Sequence, residues 1–503
     1  MRWFLTLLVA CDPAIPDVDD GRDPPEKDSG TDTGDSGDTG DTGDTGLSEA
    51  CLNLAPLPLV RPESISGLTT AEDFTFDGEG QHVSLDENGN MVGITYDGAK
   101  KLISAGLGGG AGTHMLADGQ VVFADVLNNT LVKVDPATGG SAVLASGLSY
   151  PNGLDVSTDG FVYVAESGLG TLQKVDSGTG EATLIGAGML GANGVSFGPG
   201  FDELYVGSFG GGVVWRMDLG DDGVWTRPRV WSLVPGATAP TTPTCEVEPV
   251  GTMCTLSGGY GIGECVESDL GYNLCEIVKD TEACDGAEAG DACDGTAFGE
   301  PRTSICVRTV PEGELFCPAA PANYVEPCLR HAGETCEVEG AAGYCSYTYE
   351  GISICDTGAY WERAQSVCAD AAEGEACLVD DYVYGWQGSC EDAASWGLPG
   401  LVCMPLTSSG GEDGMLDGLN VDECGNVYAT SYLVGKVWRW QDELAEAELV
   451  TDVRASWIPN LHWGNGIGGW QEDVVYMANR DNGSVYALEL GIKGHGEAFA
   501  PAP

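Results

Sequence analysis

The chain has 503 residues and a formal charge of −57, from 78 acidic and only 21 basic side chains. That balance excludes a nucleic-acid binder, which needs a basic footprint to neutralise phosphates. Its 19 cysteines are hard to sustain in a reducing cytosol and natural in an exported protein.

The first element is the leader MRWFLTLLVAC, one arginine and a short apolar run ending in Leu8-Val9-Ala10-Cys11. The run is too short to span a bilayer. Its last four residues resemble the lipobox of bacterial lipoproteins. The resemblance implies a signal peptide over 1–10, cleavage before Cys11 and lipid on that cysteine. The mature chain would then sit on a membrane of the bacterial cell envelope, facing the periplasm or the exterior. An ordinary secretion signal with a displaced start is the alternative. Residues 11–50 follow as an acidic linker. Its stretch TDTGDSGDTGDTGDTG repeats the Asp-Thr-Gly triplet of aspartic proteases. An aspartic dyad, however, needs a dry, fixed site, and a segment of Asp, Gly, Thr and Ser has nothing to bury around one. The linker reads as a disordered tether.

Beyond residue 60 the chain repeats. SYPNGLDVSTDGFVYVAESGLGTLQKVDSGTGEATLIG (149–186) aligns with LGANGVSFGPGFDELYVGSFGGGVVWRMDLG (190–220), and the pattern recurs at 69–98, 112–140, 415–440 and 462–490. Short alternating strands separated by glycine turns, four per forty-odd residues, mark propeller blades. The expected fold is all-β, a six-bladed β-propeller. The corresponding positions are read as Glu72, His114, Asn152, Asn193, Asp417 and Asn465, with successive spacings of 42, 38, 41, 224 and 48 residues. The long interval implies an insertion of roughly 180 residues between blades four and five, judged against the ~40-residue blade period. The domain plan is blades one to four over 51–238, a cysteine-rich insertion over 239–408, blades five and six over 409–494 and a tail over 495–503.

Sixteen cysteines lie in the insertion, in four groups of four, and the second of each group follows Gly-x-x. The spacing offers no Cys-x-x-Cys zinc geometry. Each unit is too small for a hydrophobic core and reads as a module stapled by two disulfides, with three pairings open. Cys51 and Cys424 remain as a pair by parity. The insertion is expected to overhang the face that carries the inner-strand starts, where it would restrict substrates or receive a protein or glycan partner.

Blade geometry brings the inner-strand starts together on the axis. Glu72, Asn152, Asn193 and Asp417 should therefore converge, although 345 residues separate the first from the last. A Glu, an Asp and two amide carbonyls form a hard oxygen cage suited to calcium or another divalent cation. Asn-Gly and Asp-Gly are also hairpin signals, so a purely structural role for these turns is the competing reading.

The phrases AEDFTFD, PNGLDVSTDG, ANGVSFGPG and LDGLNVD resemble the gluconolactonase and regucalcin group and, more distantly, paraoxonases and diisopropyl fluorophosphatase. The resemblance covers about 60–236 and 410–492. It implies a central divalent metal, usually calcium, held by Glu72, Asn152, Asn193 and Asp417. It also implies a base, either Asp417, as in gluconolactonases, or His114, as in paraoxonases. His462 and Asn465 are secondary candidates on the same face. The arginines that contact sugar hydroxyls in gluconolactonases have no match. Two functions follow: a calcium-dependent hydrolase of lactones or related esters, or a non-catalytic propeller with a structural metal that binds partners through its cysteine-rich modules.

Overall fold

Alternating apolar residues between glycine turns produce short antiparallel meanders, and these meanders are the blades. The computed structural model describes residues 49–495, apart from short segments that fall mostly between 238 and 413. Blade one comprises strands 74–76, 81–85, 91–95 and 100–104, and blade two comprises 110–115, 121–125, 130–134 and 141–146. Blades three and four run from 151 to 186 and from 192 to 233, and blade five from 416 to 452, each with four strands in sequential order. Blade six is composite. Its three inner strands, 461–463, 474–479 and 484–489, are completed by the N-terminal strand 63–65, which pairs antiparallel with 484–489 in the register Ser64 to Tyr486. The chain thus closes its own ring.

The inner strands are buried along their whole length in blades three, four and five, whereas the outer strand 141–146 is mostly exposed. Each inner strand lies between two neighbouring blades, so both of its faces lose water. One apolar cluster fills each seam, for example Val214, Trp231, Leu416, Trp438 and Trp440 between blades four and five. Burial of this kind contributes about 25 cal/mol per Å² of apolar surface. Close approach at the axis requires glycine. A Cβ on Gly153 would lie 2.4 Å from the Asn193 carbonyl oxygen, and one on Gly194 would lie 2.3 Å from that of Asp417.

Cys51 and Cys424 form a disulfide across 373 residues of sequence. It ties the short helix Glu49–Leu52 to the turn after the inner strand of blade five. In the insertion the first, second and fourth modules pair first cysteine with third and second with fourth: Cys245–Cys265, Cys254–Cys275, Cys284–Cys306, Cys293–Cys317, Cys368–Cys390 and Cys377–Cys403. Their cysteines are the cores, as in the cluster of Cys284, Cys293, Cys306 and Cys317. The side chains of the third group lie outside the described residues, as do Cys11 and all of 1–48. Among the described residues no helix is long and apolar enough to cross a membrane.

The insertion leaves and returns at the end of the propeller where the inner strands start. Gly414, at its return, accepts backbone hydrogen bonds from Gly210 and Gly212, and Val234, near its exit, donates to Gly212. The first module, in its described contacts, lies against the outer strands of blades three and four. The Tyr272 hydroxyl accepts from the Ala187 N–H at 3.2 Å, and the Arg227 guanidinium lies 5.1 Å from the Tyr272 ring centre.

Candidate metal centre on the propeller axis

Four inner strands carry the same irregularity. The register with the second strand slips between Gly110 and Thr113, Pro151 and Leu154, Ala192 and Val195, and Leu416 and Leu419. These are bulges, which insert a residue and re-aim side chains. In blades three to five the bulged residues are Asn152-Gly153, Asn193-Gly194 and Asp417-Gly418. Each glycine abuts the bulged residue of the next blade, and Gly418 in turn faces Asn460. Local sequence therefore dictates the ring: a polar residue turned to the axis, then a glycine that lets the next strand approach.

This ring corrects two of the six corresponding positions. The bulge of blade two is Ala111-Gly112, and a Cβ on Gly112 would meet the Asn152 carbonyl oxygen at 2.4 Å. His114 is three residues further down the strand. In blade six the ring residue is Asn460, not Asn465. Asn465 lies beyond the strand, on the opposite end of the propeller, where its amide donates to the Asp77 carbonyl oxygen at 2.9 Å.

Glu72, Asn193 and Asp417 meet at one end of the axis. Asn193 hydrogen-bonds the Asp417 carboxylate, and Asp417 is only 4% exposed. Burial pushes the Asp417 carboxyl well above its ordinary value, and the Glu72 charge adds to this, while the Arg480 guanidinium opposes it. Asn152 is buried at the equivalent bulge one blade away. Arg480, from the turn after 474–479, donates from Nη1 to Glu72 Oε2 and to the Tyr432 hydroxyl at 3.3 Å. Tyr150 stands directly before Pro151-Asn152 with φ +51°, a conformation that costs an aromatic residue about 1 kcal/mol or more. Its N–H is held by Asn129 Oδ1 at 3.0 Å, and the preceding N–H, of Ser149, by buried Glu166 Oε1 at 2.7 Å. Burial, then the Glu72 charge, raises the Tyr150 phenol, so it stays protonated.

One layer deeper the axis is again polar. A cavity of about 10 Å³, room for roughly one water, is lined by His114, Asp155, Ser196, Asn420, His462 and His495 among others. His114 Nε2 lies 3.2 Å from Asp155 Oδ1 and its Nδ1 lies 3.1 Å from the Met115 carbonyl oxygen, so both ring nitrogens are engaged. Asp155 also accepts the Phe197 N–H at 2.8 Å. His462 Nε2 lies 2.8 Å from Asp73 Oδ1, and Asp73 accepts the Thr113 N–H at 2.6 Å. Each aspartate thereby clasps neighbouring blades. His495 enters from below on the C-terminal segment, its N–H bonded to the Val421 carbonyl oxygen, and its ring reaches Ser196 Oγ at 3.4 Å.

The donor set fits a divalent cation. Glu72 and Asp417 bring two carboxylates to this end of the axis and Arg480 is bonded to the first of them, while Asp73 and Asp155 are each engaged by a histidine one layer deeper. Hard oxygens from two carboxylates and two amides suit calcium.

No family model matches the chain, and no curated relative matches it. Among solved structures it is similar to a luciferin-regenerating enzyme, at 10% identity over 88% of this chain and 100% of that one, with a TM-score of 0.42. It is similar to a gluconolactonase from Xanthomonas campestris, at 18% identity over 53% of this chain and 98% of that one, with a TM-score of 0.30. It is also similar to a calcium-binding regucalcin from Agrobacterium tumefaciens, at 17% identity over 42% and 77%, with a TM-score of 0.28. Likenesses this distant carry no argument about activity, and the propeller is established by its own strand topology.

Proposed function

We propose that Glu72, Asn152, Asn193 and Asp417 hold a divalent cation, calcium in the first instance, and that the chain hydrolyses lactones or related esters at this site. The observation that carries the reading is the meeting of Glu72, Asn193 and Asp417, from blades one, four and five, around a desolvated carboxylate. When bound, the cation would supply Lewis-acid polarisation of the ester carbonyl. Asp417 is the residue assigned to take a proton from water. The Asn193 hydrogen bond orients its carboxylate for that role. Tyr150, protonated and fixed by its backbone contacts, is assigned as a hydrogen-bond donor to the developing oxyanion. Tyr432 stands between Phe209 and Trp457, at ring distances of 6.2 and 5.7 Å, and this aromatic wall would exclude bulk water. His114 is assigned to positioning Asp155, because both of its nitrogens are engaged below the site.

The test is a lactone and ester panel assayed with calcium and with chelator, on wild type and Asp417→Ala. Calcium-dependent turnover that vanishes in Asp417→Ala supports the hydrolase. Absent turnover points to the second reading, a binding propeller whose disulfide modules receive a protein or glycan, and turnover indifferent to metal removes the metal from the reaction. The engagement of Glu72 by Arg480 favours that second reading. The same proposal places the protein on the bacterial envelope through lipid on Cys11, and labelled palmitate should enter wild type and not Cys11→Ser.

A further inference from the structure

The candidate centre contains a cation of its own. We propose that Arg480 is a tethered counter-ion that competes with the divalent metal for Glu72, so that metal loading requires the guanidinium to leave. The inference rests on the metal-centre reading above and adds the residue that sets its affinity and its charge selectivity.

Geometry separates the fixed part of Arg480 from the mobile part. Its backbone N–H donates to the Trp457 carbonyl oxygen at 3.0 Å, and the Trp457 N–H donates back to Asp481 Oδ2 at 3.0 Å. The turn is therefore locked, and the long side chain is the part free to change rotamer. That side chain is 16% exposed and Glu72 24%, so the pair sits at the rim of the buried ring with a path to water. The Tyr432 hydroxyl, at 3.3 Å from Nη1, is a second partner that does not depend on Glu72.

Charge makes the two cations exclusive. A divalent ion balances Glu72 and Asp417 by itself. With the guanidinium still on Glu72 Oε2 two cations would share one carboxylate, and a poorly solvated site screens their repulsion weakly. Guanidinium stays charged under any condition in which the protein is folded, so the repulsion is relieved by movement and not by loss of a proton. A monovalent ion gains nothing by the exchange, since it replaces one unit of charge with another. The site should therefore respond to divalent cations and ignore sodium and potassium.

The experiment is calorimetric titration of calcium alone into wild type, Arg480→Gln, Arg480→Met and Arg480→Lys, with melting curves recorded for each. The neutral variants should bind calcium about tenfold more tightly or better, a gain of roughly 1.4 kcal/mol. The lysine variant, which keeps the charge, should stay within a few-fold of wild type. Glu72→Gln added to Arg480→Gln should abolish the gain. Neutral variants that bind no more tightly than wild type would overturn the proposal and leave the metal centre standing, and so would a lysine variant as tight as expected for glutamine. If the neutral variants fail to fold, the Arg480 guanidinium is followed by nitrogen NMR in wild type: signals that shift as calcium binds support the proposal, and signals that stay fixed while calcium binds overturn it. Absence of calcium binding in wild type and every folded variant would instead remove the metal-centre reading.

Discussion

His82 offers a stringent test of how tightly blades one and six are packed. The residue is 1% exposed; its ring stacks on Phe74 at 4.4 Å and 22°, with Trp470 at 6.0 Å. Among the described residues neither ring nitrogen has a hydrogen-bond partner. Burial, with smaller contributions from His462 and Lys100, pulls its pKa from 6.5 down to about 3. Because the folded value is depressed, the unfolded chain binds a proton below 6.5 that the native state refuses. The stabilisation is complete above that value and is lost as pH falls towards 3. The full gap corresponds to roughly 5 kcal/mol at about 1.4 kcal/mol per pH unit, of which roughly 2 kcal/mol is gone by about pH 5. His82→Leu fills a similar volume and cannot titrate. Denaturant unfolding of both proteins across this range should show the variant gaining about 2 kcal/mol on wild type between about pH 7.5 and pH 5. A stability difference that stays constant with pH would refute the reasoning, because it would mean that the imidazole is hydrated and the seam open.

Other consequences are accessible to the same methods. In chelator-treated protein Asp417→Asn should be more stable than wild type near neutrality. The raised carboxyl costs the fold as pH climbs through its folded value, so the gap should close in acid, and equal melting curves at all pH would contradict this. Gly194→Ala places a Cβ 2.3 Å from the Asp417 carbonyl oxygen and 2.6 Å from the Leu419 nitrogen; a loss of about 3 kcal/mol or more is expected, and a near-neutral effect would show that the inner ring is loose. Paired Cys51→Ser and Cys424→Ser substitutions should lower stability by about 3–5 kcal/mol, since the bond closes a very long loop of the unfolded chain. Unfolding midpoints in non-reducing buffer check the value.

The propeller was legible because its signal is periodic. Asn152, Asn193 and Asp417 were legible for a related reason: each precedes a glycine that the adjoining strand needs. Blade two hid its ring residue, since Ala111 carries no polar group and His114 drew the alignment three residues away; Gly112 was the cue. In blade six the phrase Ile458-Pro459-Asn460 repeats Tyr150-Pro151-Asn152 but lacks the glycine, and Asn465-Gly466 is the stronger turn signal, with Gly466 indeed at φ +76°. Arg480 sits in a turn of ordinary composition, Asn479 to Gly483. Only ring closure carries it to Glu72, 408 residues away, and no local pattern encodes that. The same holds for His495, which lies in what reads as a tail. The contribution of 63–65 to blade six was equally invisible, because a three-residue strand has no periodicity of its own.

The order of attachments near the N-terminus has a mechanical consequence. Cys51 precedes the strand 63–65, so a pull applied to the chain ahead of Cys51 would pass through the disulfide into the Cys424 turn of blade five before it reached the strand that closes blade six. A row of backbone hydrogen bonds peeled from one end resists poorly, and here that seam is shielded from load by a covalent detour.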